Sequence, residues 1–188
     1  MKRRTVIWLG AAAVVLLLIF VFIGSYNGLV SAETEAQSKA ATVDTMLKRR
    51  ADLIPNLVST VKGYAAHETE IFTEIANARA KLSGSLTVAD KNAANNALDT
   101  ALGRLLLVVE RYPDLKASGQ FLALQDQLEG AENRISTARV DYNEAVRRYN
   151  QKLRRFPTNL IGKLFGLKVL EMYSAPAEDT ETPNVNFD

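Results

Sequence analysis

His67 is the chain's one histidine. It stands beside Glu68 and near Glu70, nitrogen and oxygen donors that could begin a metal site. A zinc centre draws three or four ligands mainly from imidazole and thiolate, and the 188 residues contain no cysteine and no second histidine to complete one. A carboxylate-only site for calcium or magnesium needs acids gathered at loop spacing, whereas the 21 acidic residues are dispersed. Asp52 sits in a motif-like run with Pro55, but a helix N-cap accounts for it without chemistry. No Ser, Lys or Asp is placed with a base as a nucleophile requires, and no glycine-rich loop follows a strand. The expectation is a protein that is not an enzyme, with no catalytic residue, no cofactor and no metal ligand.

Two other patterns point to binding. Tyr26, Tyr142 and Tyr149 are each followed by asparagine. Tyr142 and Tyr149 lie one heptad apart, so they share a helix face, either as core aromatics with hydroxyls at the bundle edge or as the wall of a peptide-binding groove. The second pattern is an apolar stretch containing Phe156, Leu160, Ile161, Leu164, Phe165, Leu167, Val169 and Leu170, broken by Lys163 and Lys168. It follows Arg147, Arg148, Lys152, Arg154 and Arg155. Such an amphipathic segment docks on a membrane or a membrane partner, or forms a short helix that caps a bundle.

These residues must be positioned by helices, and one helix comes first. Thr5 to Ile23 carries no charge and at about 1.5 Å per residue nearly spans a hydrocarbon core of about 30 Å. Lys2, Arg3 and Arg4 precede it and the next charge is Glu33. The positive flank predicts a cytoplasmic N-terminus, a transmembrane helix over 5–25, and a domain outside the cytoplasmic membrane. A cleaved signal peptide is the competing reading, since Val30-Ser31-Ala32 resembles a cleavage site. The chain's isoelectric point is near 8.8, yet without the three flanking bases the balance is 20 basic against 21 acidic residues. A nucleic-acid partner is therefore not expected.

Beyond the anchor, three-four spacing recurs throughout. Leu29, Ala32, Ala36, Ala40, Val43 and Leu47 make one stripe, supported by Glu35 with Lys39 and Asp44 with Lys48 at i,i+4. Ile54, Leu57, Val61, Tyr64, Ile71, Ile75, Ala78 and Leu82 make a second. A boundary near Ala51 is expected, although the stripe passes through Leu47, Arg50, Ile54 and Leu57 without losing phase, as one helix running through Pro55 would show. A third helix over Thr87 to Tyr112 presents Ala93, Ala97, Ala101, Leu105, Val108 and Tyr112, widened by Leu98, Leu102, Leu106 and Val109. A fourth begins near Ala117 and carries Phe121, Leu124, Leu128, Ala131, Ile135, Ala138, Tyr142, Ala145, Tyr149 and Leu153 as a coiled-coil-like stripe, ended by Pro157. Gly63, Gly103 and Gly130 are read as packing positions inside helices. Residues 174–188, acidic and with two prolines, are expected to be disordered.

LKRRADLIPNLVSTVKGYAAHE (47–68), the run from Val108 to Asn150, and FPTNLIGKLFG (156–166) together resemble the LemA family of bacterial membrane proteins. The resemblance covers about residues 26–166 and includes the N-terminal transmembrane helix. It implies an all-α fold, an antiparallel up-and-down four-helix bundle over 26–173 with the break near Ala51, and no particular biochemical activity. The resulting functional expectation is a membrane-anchored scaffold or interaction module of the bacterial envelope. Its partners would be the lipid bilayer, other envelope proteins and further copies of itself. The alternative is an accessory subunit of a membrane-bound enzyme or protease.

Overall fold

The apolar run and the soluble stripes that follow it form one helix. The computed structural model describes residues 2–85 and 87–174, and the segment expected to be disordered lies, from 175 onward, outside the described residues. The helices are α1 (Lys2–Lys62), α2 (Thr69–Gly84), α3 (Val88–Val109), the single turn α4 (Pro113–Lys116), α5 (Gly119–Arg154) and α6 (Thr158–Leu164). The fold is all-α, and no strand occurs among the described residues.

The expected boundary near Ala51 is replaced by a continuous α1 that contains Pro55. Proline has no N–H, so the carbonyl four residues earlier, that of Ala51, loses its helical donor. Here the Arg79 side chain of α2 supplies one, donating Nε–H to the Ala51 oxygen at 2.9 Å. The helix therefore passes the proline with the freed acceptor satisfied. It ends at Lys62, and Gly63 belongs to the turn rather than to a helix interior. The buried stripe restarts in a new phase: Tyr64 is exposed, and Phe72, Ile75, Ala78 and Leu82 form the inner face of α2. Asp52 is an exposed position within α1, so it caps nothing.

The chain divides into two compact units, 1–40 with 141–170, and 41–140 with 171–188. The second holds the end of α1, α2, α3, α4 and the start of α5. Ion pairs report its topology. Lys91 meets Asp44 at 2.6 Å and Arg50 meets Asp99, so α3 runs parallel to α1. Arg104 meets Glu74 at 3.0 Å, pairing the late part of α3 with the early part of α2, so α2 is antiparallel to α3. The result is an up-down-up-down bundle, with Val43, Ile54, Val61, Ile75, Leu98, Leu105, Phe121 and Ile135 among its buried side chains. Thr87 caps α3 by accepting from the Asp90 N–H at 3.0 Å. Pro113 opens α4, where its missing donor costs nothing, and α4 seats the fully buried Leu115. Residues 171–174 lie against the same unit: Tyr173 is buried under the Arg139 guanidinium, 5.1 Å from the ring centroid, and the Asn92 amide donates to the Ser174 carbonyl at 3.1 Å.

The first unit is an antiparallel pair of α1 and α5 with α6 laid across its end. Leu29, Ala32, Tyr149, Leu153 and Ile161 form its core. Glu35 pairs with Arg148 at 2.7 Å and Lys39 with Asp141 at 2.9 Å. The charges expected to pair along α1 instead reach across to the neighbouring helix, as Asp44 does to Lys91 in the other unit. From Ile7 to Ile23 the α1 side chains are exposed, Phe20 at 80%. That stretch belongs to a helix long and apolar enough to cross a membrane.

Candidate functional site: a buried arginine and a strapped helix pair

The chemistry suggested by His67 has no local partner set. The histidine is exposed in the turn between α1 and α2, Glu70 is exposed in the first turn of α2, and Glu68 is engaged by Arg111 at 2.6 Å. No group of three His, Asp or Glu side chains among the described residues is placed to hold a metal ion.

The polar groups that do converge lie inside the second unit. Arg50 is on the buried stripe of α1, with only 5% of its surface exposed. Its Nη1 donates to Asn95 Oδ1 at 2.9 Å and lies 2.6 Å from the Glu132 carboxylate. Its Nη2 donates to Asp99, whose other oxygen accepts from Asn95 Nδ2 at 2.9 Å. One guanidinium thus joins α1, α3 and α5, and its fixed fork of donors suits such a junction better than a point charge would. The face of α3 is set by this cluster. Leu98 turns inward as expected, but Ala94 and Asn95 take the inner positions where Ala93 and Ala97 were expected, and Asn95 thereby reaches Arg50. The carboxylates sit at the rim, about 40% exposed, while the cation is interior. Beside them opens a cleft of about 350 Å³ whose walls include Leu57, Leu102, Leu106, Phe121 and Leu128.

A second arrangement occupies the first unit. Tyr149 is fully buried and its hydroxyl donates to the Lys168 carbonyl at 3.1 Å. Asn150 treats Leu170 as a strand neighbour would: its amide donates to the Leu170 carbonyl at 2.9 Å and its oxygen accepts the Leu170 N–H at 3.0 Å. Burial first, then the Glu33 carboxylate, raises the Tyr149 phenol above its ordinary range. Tyr142 and Tyr149 are thus buried aromatics, and the Tyr149 hydroxyl reaches the edge of the helix pair, where the chain's own 167–170 segment lies.

Two glycines make that strap possible. Gly166 has φ +68, the left-handed region open to glycine at little cost, and it ends α6 with the Leu167 N–H on the Gly162 carbonyl at 2.9 Å. At Gly162 a Cβ would fall 2.3 Å from Leu153 Cδ1, so with any side chain there the Leu153 methyl would have to shift for α6 to lie as closely on α5. Gly103 and Gly130, read as packing positions, would each place a Cβ in open space. The packing glycine is Gly162, whose neighbour comes from the preceding helix and so leaves no trace in local periodicity.

α6 also divides the apolar stretch in two. Ile161 is buried and Leu167 and Leu170 are partly so, whereas Phe156, Leu160, Leu164 and Phe165 are exposed. Capping of the helix pair, one of the two roles expected for this stretch, is performed by the inner set.

A helical bundle continuous with an exposed apolar helix defines a membrane-associated helical protein. The chain belongs to the LemA family, which it matches over residues 39–187. Among its relatives, Magnetosome protein MamQ 2 and Magnetosome protein MamQ 1 of Paramagnetospirillum magneticum are each 29% identical over 182 residues, covering 82% of this chain and 67% of theirs. Protein LemA of Metamycoplasma hominis is 28% identical over 159 residues, covering 83% of this chain and 72% of that protein.

Proposed function

We propose that the protein works by binding rather than by chemistry. It is a scaffold or interaction module anchored in the bacterial cytoplasmic membrane by residues 5–25, with Lys2, Arg3 and Arg4 on the cytoplasmic side and the bundle outside. The observation that carries this reading is the α3–α5 cleft. Arg50 engages Asp99 and Glu132 on one side of it, while Leu106 stays 43% exposed at its edge and the next residue along α3, Leu107, is 71% exposed. An apolar surface rimmed by charge suits a protein partner.

The test is photo-crosslinking in intact cells from a benzoyl-phenylalanine placed at Leu106 and, separately, at Leu107. Discrete protein adducts are expected, either of another envelope protein or of a second copy of the chain. A stoichiometric membrane protease or enzyme among them would assign the accessory-subunit role. Absence of any protein adduct from both positions would overturn the reading.

A further inference from the structure

Resting on the reading that α1 spans a bilayer, we infer that the outer face of α6 and its flanks, formed by Phe156, Leu160, Leu164 and Phe165, is a second membrane contact. It lies in the headgroup layer of the leaflet from which α1 emerges. The placement follows from Phe165. Its ring centroid is 4.6 Å from that of Tyr26 and 6.2 Å from that of Phe22. Phe22 belongs to the uncharged run that enters the hydrocarbon, so Phe165 stands at the level where that run ends. The outer face is thus continuous with the anchor's own lipid-facing surface.

Its exposure fits that position. Phe156, just before α6, is 80% exposed and Leu164, at its end, 72%, while the other side of the helix is already buried on Leu153. An apolar face at this density is costly in water and is stabilised at an interface, where aromatic rings are favoured. The charges agree as well. Arg154, Arg155, Lys163 and Lys168 are exposed and form no ion pair among the described residues, whereas Arg147 and Arg148 in the preceding turns are paired with Glu144 and Glu35. Unpaired bases around an apolar face suit an anionic lipid surface. The Tyr149 and Asn150 strap and the Gly166 turn hold the far end of the segment, so α6 is presented on a fixed base.

The test uses the full chain in vesicles of phosphatidylcholine and phosphatidylglycerol. Trp8, the one native tryptophan, is replaced in a Trp8→Phe background by single probes at Phe156, Leu164 or Gln37. Gln37 is an exposed α1 position of the same unit, roughly 22 Å along the helix from Phe22 at 1.5 Å per residue. F156W and L164W should emit at shorter wavelength than Q37W and be quenched by brominated lipid to an extent similar to Trp8 in the unaltered chain. Q37W should be unquenched. If F156W and L164W match Q37W while Trp8 is quenched, the docking is overturned and the anchor stands. Blue-shifted emission without lipid quenching would also overturn it, because protein rather than lipid would then cover the face. If Trp8 itself escapes quenching, the anchor reading fails and the inference fails with it. Unchanged thermal melting of each variant would show that the probes leave the fold intact.

Discussion

Replacing Arg79 tests whether a side chain on one helix allows another to run through a proline. In the native protein the Ala51 carbonyl has no donor from Pro55 and accepts the Arg79 Nε–H at 2.9 Å in a partly buried setting. Arg79→Met keeps most of the apolar stem and removes the donor. A hydrogen bond from a charged group contributes about 1.5–3 kcal/mol, and a buried acceptor left unmade costs about 1–3 kcal/mol. The expected loss is therefore about 1.5–3 kcal/mol, or a melting temperature lower by roughly 3–10 °C for a chain of this size. In a Pro55→Ala background residue 55 regains its N–H and restores the helical bond to Ala51, so the same Arg79→Met change should cost well under half as much. The assay is a double-mutant cycle by circular-dichroism melting of the full chain in detergent micelles. A coupling energy below about 0.5 kcal/mol, the level seen for independent sites, would refute the role assigned to Arg79.

Two further outcomes follow from the polar groups. At the Arg50 cluster the cation is interior and the two acids are at the rim, so removing both acids, as D99A with E132A, strands a buried charge. That should cost about 3–5 kcal/mol, clearly more than R50M, which leaves carboxylates that water can reach; equal melting losses would contradict the placement of the charge. At Tyr149 the native phenol holds its proton more tightly than the unfolded one. Its contribution is complete below the ordinary phenol value of about 10 and is lost as pH rises through the higher native value. Melting temperature should therefore fall more steeply above pH 10 in the native protein than in Y149F, and parallel profiles would refute the shift.

Most of the helical architecture was legible from residue order. The stripe on α5 from Phe121 to Leu153 needed only the 3.6-residue period, because a long helix with one buried face repeats its apolar residues regardless of what covers them. On α1 the stripe of Leu47, Arg50, Ile54 and Leu57 ran past Pro55 without losing phase, a correct sign of continuity that the ordinary rule for proline outweighed. The proline rule concerns an isolated helix, and the donor that offsets it stands on α2, 28 residues away. The phase change from Tyr64 to Phe72 was hidden for a related reason, since the turn after Gly63 resets the register and a stripe read across it joins two unrelated faces.

The sequence by itself determined the uncharged span, its basic flank, the all-helical character, and the lack of cysteine and of a second histidine. These depend on composition and on spacing within one helix, where each residue's neighbours are known in advance. Only the tertiary structure decided that Arg50 lies inside the bundle between two acids and that Asn150 binds the backbone of Leu170. It also decided that Phe165 rests on the end of the anchor. Each of these joins residues at least 15 positions apart, through directed hydrogen bonds, ion pairs or ring contacts whose partners local periodicity does not name.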